Sequence, residues 1–351
     1  MKPVIICGGI GSKMWPESRQ KSPKHFLPLI NGKSLFELNW DALREKFAAE
    51  EIFLQTNAVQ AEIAKKLVPE IVEENIFIEP EMRNQGPATG FAAAQLIRRG
   101  FGDEPFMLIQ ADLIRTPNEK YLEMIEEADK IARSGNKYMT GGVKPPFAIM
   151  GVDYMIAGKT VSEGQVKIME VDKFLWRDSK EKVEEYFKSG IALTHWNHSC
   201  MTPNNMMAMF KKYKPEWYQP LMNMVNGGDT AAEYSAMPKG PIEDVTQNVF
   251  NNHEALVIEL PFEVVDFGTW ESLDRYLTEN NLYNQSKNSI EIDSKNNFVR
   301  MPSDKTVAII GMENLVVIDT GDAILITTKD KTGRVGEVVE KLKADGKNEL
   351  L

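Results

Sequence analysis

A short glycine cluster followed by two lysines is the segment whose residue types best suit chemistry on phosphates. It follows Val4–Cys7, an apolar run that is typical of a buried strand. Glycines let the backbone turn tightly and approach a ligand, and successive N–H groups in such a turn form a concavity for phosphate oxygens. The residues that would supply amides and cations to a triphosphate are Gly8, Gly9, Gly11, Lys13 and Lys24. The same pattern also fits a tight strand-to-helix turn with solvated lysines.

Neither common phosphate-binding motif is present in this segment. A P-loop needs GxxxxGK[ST], and the Gly-Lys-Ser at 32–34 lacks the upstream glycine at the required spacing. The dinucleotide pattern GxGxxG is absent as well, because the glycines occupy positions 8, 9 and 11. Any phosphate site here is therefore of a different type.

Two aspartates follow apolar runs and are candidate metal ligands. Asp112 ends FMLIQAD, and Asp266 lies in VVDFGTW. An acid at the carboxyl end of a strand is well placed to hold Mg²⁺, and Mg²⁺ is usually bound by one or two carboxylates plus substrate phosphates. The alternative for Asp112 is a side chain that caps a turn. His195 and His198 lack the spacing of a zinc site, and we expect them in a polar pocket or on the surface.

Composition narrows the class of protein. The chain has 351 residues, of which 42% are hydrophobic and 26% are charged, and its formal net charge is −10. No basic stripe or tail is present, so nucleic acid is not an expected partner. Two cysteines give no disulfide framework. No apolar run approaches the roughly 20 residues of a membrane span, and no signal peptide is evident. We therefore expect a soluble, cytoplasmic protein.

Strand and helix patterns alternate through the first half of the chain. The predicted strands are Val4–Cys7, Ile52–Thr56, Ile76–Ile78, Phe106–Gln110 and Tyr138–Gly142. The predicted helices between them are Leu35–Glu50, Ala58–Val68, Ala88–Arg99 and Asn118–Ser134. This order predicts an α/β fold with a doubly wound, mostly parallel, Rossmann-like sheet. We assign residues 1–282 to that domain and 283–351 to a small β-rich, β-helix-like domain with a final helix.

The segment GGIGSKMWPESRQKSPKHFLPL resembles the signature GGxGTRLWPLSRxxxPKQFLPL of mannose-1-phosphate guanylyltransferases. The shared pairs at matching spacing are Trp15-Pro16, Ser18-Arg19, Pro23-Lys24 and Phe26-Leu27. The resemblance extends over nearly the whole chain and implies the short form of the family, without an isomerase domain. It implies a sugar-phosphate nucleotidyltransferase that joins GTP and mannose 1-phosphate with Mg²⁺ as cofactor. The sugar phosphate would attack the α-phosphorus in line and release pyrophosphate.

The resemblance also implies roles for individual residues. Lys24 would stabilise charge at the α-phosphate, and Lys13, where the family has Arg, would hold the β- and γ-phosphates. Arg and Lys are not equivalent at a bidentate phosphate contact. Asp112 and Asp266 would hold the metal. The nucleotide-binding set would be Gly8, Gly9, Gly11, Ser12, Glu79, Arg83, Asn84, Gly86 and Pro87.

The segments that would bind the sugar phosphate match the family less well. Gly151, Arg177 and Asn197 are the expected contacts. The family's GYGYI becomes GVDYM, its FxEKP becomes FLWRD, and its WNSGMF becomes WNHSCM. Two alternatives therefore stay open: a related transferase for another hexose 1-phosphate or NTP, and a diverged paralogue that binds nucleotide sugar without turnover. We expect a homodimer assembled with the help of the β-rich domain.

Overall fold

The structure, a computed structural model, describes residues 1–9, 11–177, 179–282, 289–301 and 305–351. Its strands are β1 (Lys2–Ile6), β2 (Pro28–Ile30), β3 (Lys33–Ser34), β4 (Phe53–Thr56), β5 (Ile76–Ile78), β6 (Phe106–Gln110), β7 (Leu113–Thr116), β8 (Tyr138–Val143), β9 (Tyr154–Glu163), β10 (Lys167–Leu175), β11 (Ala192–Met201), β12 (Ala255–Glu259), β13 (Glu263–Asp266), β14 (Ser289–Ile292), β15 (Phe298–Arg300), β16 (Val307–Ile310), β17 (Leu315–Asp319) and β18 (Ile324–Thr328). Its helices are α1 (Leu35–Arg44), α2 (Ala58–Leu67), α3 (Gln85–Arg98), α4 (Asn118–Ser134), α5 (Lys180–Ser189), α6 (Pro203–Tyr213), α7 (Pro215–Val225), α8 (Thr230–Ala236), α9 (Glu243–Asn251), α10 (Trp270–Glu279) and α11 (Val335–Ala344).

A nine-stranded sheet in the order β5-β4-β1-β6-β11-β8-β12-β10-β9 forms the centre of the molecule. Strands β5, β4, β1 and β6 are parallel, as is the pair β8 and β12. β11 lies between β6 and β8 and is antiparallel to both, and β10 is antiparallel to β12 and β9. The predicted α/β class is confirmed, and its parallel, doubly wound part is concentrated in β5, β4, β1 and β6.

Helices cover both faces of the sheet. Successive residues of a strand point to opposite faces, so each strand contributes apolar side chains to both helix layers. Val4 and Leu108 pack on one face with residues of α3, α6, α7 and α9. Ile5 and Ile109 pack on the other face with residues of α1, α2 and α4. α1 begins at a capping box in which Ser34 Oγ accepts from the Glu37 N–H and the Glu37 carboxylate accepts from the Ser34 N–H.

A two-stranded ribbon, β7 with β13, lies beside the main sheet. The two strands are antiparallel, and Asp266 pairs with Leu113, the residue that follows Asp112. The sequence patterns did not predict this pairing, since the two strands are far apart along the chain. The ribbon brings the two candidate metal ligands to the same place.

The strands from Ser289 onward form sheets of their own, and none of the described ones joins the nine-stranded sheet. Ser289 pairs with Val307 and Phe298 with Val316, each in parallel and each with the residue 18 positions later. This constant offset is the repeat of a coil that stacks on itself, as expected for a β-helix. The predicted boundary at residue 283 falls outside the described residues, so the division into 1–282 and 283–351 stays a prediction.

The C-terminal unit packs directly against the segment that follows the glycines. Met14 and Trp15 share an apolar cluster with residues of α10, β15, β17 and α11. Trp15 Nε1 donates to the carbonyl of Leu350 at 2.9 Å, and the Arg19 guanidinium pairs with the Asp322 carboxylate at 2.7 Å. Part of the signature segment therefore anchors the C-terminal unit.

Candidate active site

The candidate site lies at the carboxyl ends of β1 and β6. The chain runs from β1 through β4 to β5 on one side and then returns to place β6 on the other side of β1. In open α/β sheets such a reversal leaves a crevice beyond the strand ends, where ligands bind. The glycine cluster follows β1, and Asp112 follows β6.

The glycine turn leaves room for a ligand on one side and for Lys24 on the other. Cβ atoms added to Gly8 and Gly9 would meet nothing within 4 Å. Within the described residues, the N–H groups of these two glycines donate to no backbone carbonyl. Gly11 has φ of 77°, and a Cβ there would lie 2.7 Å from Cγ of Lys24. Only glycine fits this position, because both the backbone conformation and the lysine stem exclude a side chain.

Lys24 places a buried ammonium between the two aspartates. The residue is 8% exposed, and its Nζ lies 2.8 Å from Asp112 Oδ2 and 3.6 Å from Asp266 Oδ1. Both oxygens are within 3.6 Å of one nitrogen, so they cannot be farther apart than twice that distance. Burial alone would raise the pKa of Asp112, but the charge and hydrogen bond of Lys24, aided by His25, hold it below its usual range.

This donor set fits a sparse magnesium site. The two carboxylates already converge on one cation, the Lys24 ammonium, and Mg²⁺ commonly takes one or two protein carboxylates and completes its shell with water and phosphate. No group of three or more His, Cys, Asp or Glu side chains with metal-binding geometry occurs among the described residues. The arrangement is therefore unlike the closed sites that hold zinc.

Lys13 and Ser12 begin the turn after the glycines. Ser12–Met14 form a short 3-10 turn, and Lys13 is exposed to solvent. A Cβ added to Gly336, at the start of α11, would lie 3.6 Å from Ser12 Oγ and 3.9 Å from Lys13 Cγ. The C-terminal helix therefore limits the conformations of both side chains.

A crevice of 690 Å³ opens between the glycine turn and the ends of β4 and β5. Its volume is within the range of small-molecule sites. Residues on its wall include Gly8, Gly9, Lys21, Asn57, Glu79 and Met82. Lys21 and Asn57 were missed by sequence reasoning, although Lys21 belongs to the same signature segment as Lys24.

Glu79 is held in the crevice by two donors. Tyr234 donates its hydroxyl to Oε1, and Gln55 Nε2 donates to Oε2 at 3.4 Å. Burial raises the pKa of Glu79, although these hydrogen bonds oppose the shift. Tyr234 comes from α8, a helix whose relation to this site no sequence pattern indicated. The hydroxyl fixes one carboxylate oxygen and leaves further lone pairs available.

The other predicted members of the nucleotide loop are placed differently. Asn84, with φ of 72°, caps α3 through its side chain, and α3 starts at Gln85, three residues earlier than predicted. The N–H of Gly86 donates to the carbonyl of Gly240, and both Gly86 and Pro87 are buried. Arg83 donates to the carbonyl of Met237 and pairs with Glu81. These four residues shape the loop, and Glu79 is the member that faces the crevice.

The three predicted sugar-phosphate contacts lie on neighbouring elements. Gly151, with φ of 77°, is in the loop before β9, Arg177 follows β10, and Asn197 is on β11. Asp153, two residues after Gly151, joins this loop to the other two segments. Its carbonyl accepts from the N–H of His195 on β11 at 2.8 Å, and its Oδ1 accepts from the Arg177 N–H at 3.2 Å. The structure therefore groups these segments.

Charge on the sugar side is more exposed than at Lys24. The Arg177 side chain is 62% exposed, and its guanidinium lies 5.5 Å from the centroid of the Trp176 ring. Trp176, where the resembling family has an acid, is 45% exposed. Burial raises the pKa of Asp153, while Arg177 opposes the shift. His198 is fully buried and accepts from Arg115 Nε, so of its two expected places, a polar pocket or the surface, the surface is excluded.

Comparison with known proteins agrees with this geometry. Residues 2–191 match the family model Nucleotidyl transferase, and residues 287–342 match the model MannoseP isomerase/GMP-like beta-helix domain. The first match spans more than half of the chain, so the chain belongs to the nucleotidyl transferase family. The second match covers the strands that repeat every 18 residues and supports their interpretation as a β-helix.

Individual relatives narrow the class. The mannose-1-phosphate guanylyltransferases of Klebsiella pneumoniae and Escherichia coli are each 28% identical over 357 residues, which is 99% of this chain and 75% of each relative. The solved structure of mannose-1-phosphate geranyltransferase from Thermus thermophilus is 25% identical with a TM-score of 0.83, covering 98% of this chain and 100% of that one. The chain is therefore an enzyme, a nucleotidyltransferase, and its predicted resemblance to mannose-1-phosphate guanylyltransferases is confirmed.

Proposed function

We propose that this enzyme transfers a guanylyl group from GTP to mannose 1-phosphate, which yields GDP-mannose and pyrophosphate. The observation that carries the proposal is the buried Lys24 ammonium beside two carboxylates at the mouth of the glycine turn. A phosphate oxygen of the sugar phosphate forms a bond to the α-phosphorus while the bond from the α-phosphorus to the bridging oxygen breaks. The electron pair leaves with pyrophosphate, so no covalent enzyme intermediate is needed.

The chain's own groups divide the work of binding and charge stabilisation. The amides of Gly8, Gly9, Gly11 and Ser12 face the phosphates, and Lys13 neutralises the β- and γ-phosphates. Lys24 stabilises the charge that develops around the α-phosphorus in the transition state. Asp112 and Asp266 would hold Mg²⁺, the proposed cofactor, which supplies charge compensation to the triphosphate.

Glu79 is the residue that would read the base. Guanine presents two adjacent donors on its Watson–Crick edge, N1–H and the exocyclic amine, and a carboxylate accepts both. Adenine presents an acceptor at the corresponding ring nitrogen and would face Glu79 without a hydrogen bond. Tyr234 orients the carboxylate for this contact. Arg83, Asn84, Gly86 and Pro87 would complete the loop around the base.

On the sugar side, Arg177 would pair with the phosphate of the incoming sugar, and Gly151 and Asn197 would line its pocket. The exposed Trp176 supports a second candidate, transfer to a different hexose 1-phosphate. An indole beside Arg177 offers an apolar face to a pyranose ring, whereas the acid of the family pattern would accept from sugar hydroxyls.

A substrate grid tests the proposal. Pyrophosphate release is measured with each of the common NTPs against mannose, glucose, galactose and N-acetylglucosamine 1-phosphates, with Mg²⁺ and with EDTA. Fastest release with GTP and mannose 1-phosphate, abolished by EDTA, supports the proposal. Fastest release with another pair supports the second candidate, and tight GDP-mannose binding without release on any pair supports the non-catalytic paralogue.

The proposed assembly is a homodimer that uses the C-terminal unit. Ile290 and Ile292 of β14 are 52% and 49% exposed, and Ile310, opposite Ile292 on β16, is 64% exposed. Apolar side chains in one exposed row are typical of an interface. Sedimentation of Ile292→Lys at several concentrations tests this: the substitution should convert dimers to monomers, and unchanged sedimentation of a dimer contradicts the assignment.

The proposal includes neither nucleic acid nor membrane as a partner, and a cytoplasmic location remains part of it. Among the described helices, we find none with the length and hydropathy that crossing a bilayer requires.

A further inference from the structure

Arg115, on β7, is a buried guanidinium without a carboxylate beside it. It is 6% exposed, and it takes part in none of the ion pairs found among the described residues. Burial lowers the pKa of Arg115, and the Asp112 carboxylate opposes this shift through its charge alone. Its Nε donates to His198 Nε2 at 2.9 Å, and its two Nη atoms donate to Asn39 Oδ1 at 2.8 Å and Gln110 Oε1 at 3.3 Å. An arginine stays charged, and burying a charge among neutral partners normally lowers stability. This charge therefore calls for a role that offsets its burial.

The contact with Asn39 leads to the candidate metal ligand. Asn39, on α1 and 5% exposed, donates through Nδ2 to the Leu113 carbonyl at 2.9 Å and, at 3.3 Å, to the Ala111 carbonyl. The same nitrogen also lies 2.9 Å from the Leu35 carbonyl of its own helix. The carbonyls of Ala111 and Leu113 flank Asp112. The side-chain amide of Asn39 therefore holds the backbone on both sides of the carboxylate that faces Lys24.

Arg115 determines which way the Asn39 amide points. A guanidinium only donates hydrogen bonds, so the Asn39 oxygen must face Arg115 and the amide nitrogen must face the two carbonyls. His198 must in turn accept from Arg115, which requires a neutral imidazole with its proton on Nδ1. Burial and the charge of Arg115 lower the pKa of His198, in agreement with a neutral ring.

We propose that Arg115 and Asn39 are positioning residues that fix the backbone at Asp112 and so aim its carboxylate at the divalent cation. This inference rests on the proposed function. Both residues act through the backbone at Asp112. Asn39 holds the carbonyls of Ala111 and Leu113, and Arg115 orients Asn39 and adds a longer contact of its own, from Nη1 to the Leu113 carbonyl at 3.5 Å. Partners that orient a metal ligand typically change metal affinity or activity by about 10–100-fold when they are removed.

Asn39→Asp separates positioning from the stabilisation of a buried charge. The aspartate keeps an oxygen toward Arg115 and gives that cation a counter-ion, but it removes the donor to the two carbonyls. If Asn39 only compensates for Arg115, the variant should lose some stability, because a carboxylate oxygen would face carbonyl oxygens, but its Mn²⁺ affinity and kcat should be those of the wild type. If Asn39 positions Asp112, Mn²⁺ affinity and kcat should each fall by about tenfold or more, and KM for GTP should change less.

Asn75 provides a matched control. It is 8% exposed and donates to the carbonyls of Glu50 and Ile52 at 2.8 and 3.2 Å, before the start of β4 and away from the strand ends that form the site. Asn39→Ala removes a buried amide that contacts three backbone carbonyls, and Asn75→Ala removes one that contacts two. Both should lower the melting temperature, but only Asn39→Ala should weaken the metal response.

The measurements are Mn²⁺ binding by electron paramagnetic resonance with bound GTP, the Mg²⁺ dependence of pyrophosphate release, and thermal melting. Arg115→Met should reproduce the weaker Mn²⁺ binding of Asn39→Ala if it folds, and Asn39→Asp decides the question if it does not.

Wild-type Mn²⁺ affinity in both Asn39 variants would overturn the inference. A wild type that binds Mn²⁺ but turns over no substrate pair would refute the proposed function and leave this comparison intact. A wild type that binds no Mn²⁺ would refute the inference itself.

Discussion

The proposed nucleotide edge, which carries Lys24, and the proposed sugar edge, which carries Arg177, hold their cations in different surroundings. At the nucleotide edge the Lys24 side chain is 10% exposed and lies between two carboxylates, above a glycine that cannot carry a side chain. At the sugar edge the Arg177 side chain is 62% exposed, and the Asp153 carboxylate lies 3.9 Å from its Nε. A charge shielded from water acts on a nearby phosphate more strongly than a solvated one.

This difference in exposure indicates whether each cation contributes mainly to the rate or mainly to binding. A fixed ammonium needs no reorganisation when charge develops in the transition state, so it contributes to the rate. An exposed guanidinium orders itself only when a ligand arrives, so it contributes mainly to binding. We therefore expect substitutions at the nucleotide edge to lower kcat and substitutions at the sugar edge to raise KM.

The largest effect is expected for Lys24→Ala. Removing the ammonium should lower kcat by roughly 10²–10³-fold, the scale seen when one preorganised electrostatic donor is lost. The KM for GTP should change less, because the glycine amides and the metal remain. Steady-state kinetics at saturating Mg²⁺ measures both values. Lys33→Ala, which breaks an exposed ion pair with Asp41, is the control. A wild-type kcat in Lys24→Ala would show that Lys24 has no part in the mechanism. The proposed difference between the two edges would then be wrong.

Gly11→Ala tests whether the glycine turn holds Lys24 in place. The added Cβ would lie 2.7–2.9 Å from the Lys24 stem and would displace the ammonium. We expect kcat to fall by roughly tenfold to a hundredfold, since a misplacement of about 1 Å can have that effect. Gly32→Ala is the matched control, because Gly32 has the same φ of 77° but nothing within 4 Å of its added Cβ. Equal losses of kcat in both variants would mean that backbone strain, and not contact with Lys24, is responsible.

How much of the candidate site could be predicted from the sequence depends on whether a feature is local along the chain or joins distant segments. The nucleotide edge depends on local order along the chain: a strand, a glycine turn and a lysine that returns to it. Local order is what periodicity and motif spacing record. Lys24 and Asp112 were therefore found from the sequence, and the structure brings them within 2.8 Å of each other.

The remaining features depend on pairings between distant segments. Asp266 reaches Asp112 through the ribbon of β7 and β13, and Tyr234 reaches Glu79 from a helix 155 residues away. β11 enters between β6 and β8 in the antiparallel direction, which an alternating strand–helix pattern does not indicate. Trp15 and Arg19 belong to the signature segment, yet their partners are Leu350 and Asp322 in the C-terminal unit. A motif alone does not separate residues that bind substrate from residues that anchor a neighbouring unit.

Lys13→Ala should weaken the binding of GTP while leaving the rate of the reaction nearly unchanged. Lys13 is exposed, and its proposed contact with the β- and γ-phosphates exists before the reaction begins. Loss of an interaction that is equally strong in the ground state and the transition state raises KM without lowering kcat. We expect KM for GTP to rise about tenfold, the scale of one charge-assisted hydrogen bond, while kcat changes little. Lys13→Arg should restore the KM, and a fall in kcat as large as that of Lys24→Ala would contradict the assigned role.

The smallest effect is expected for Arg177→Ala. An exposed cation is screened by water, so its loss should raise KM for the sugar phosphate by roughly threefold to tenfold, with kcat and KM for GTP nearly unchanged. The measurement is a titration of the sugar phosphate at saturating GTP, repeated at high salt. Because screening weakens exposed pairs most, added salt should raise the wild-type KM and leave the variant less affected.

Arg177→Lys should recover part of the loss, since it restores the charge without the guanidinium fork. A fall in kcat of about a hundredfold or more in Arg177→Ala, the loss typical of a transition-state donor, would show that the sugar edge also stabilises the transition state. The distinction drawn from the exposure of the two cations would then fail.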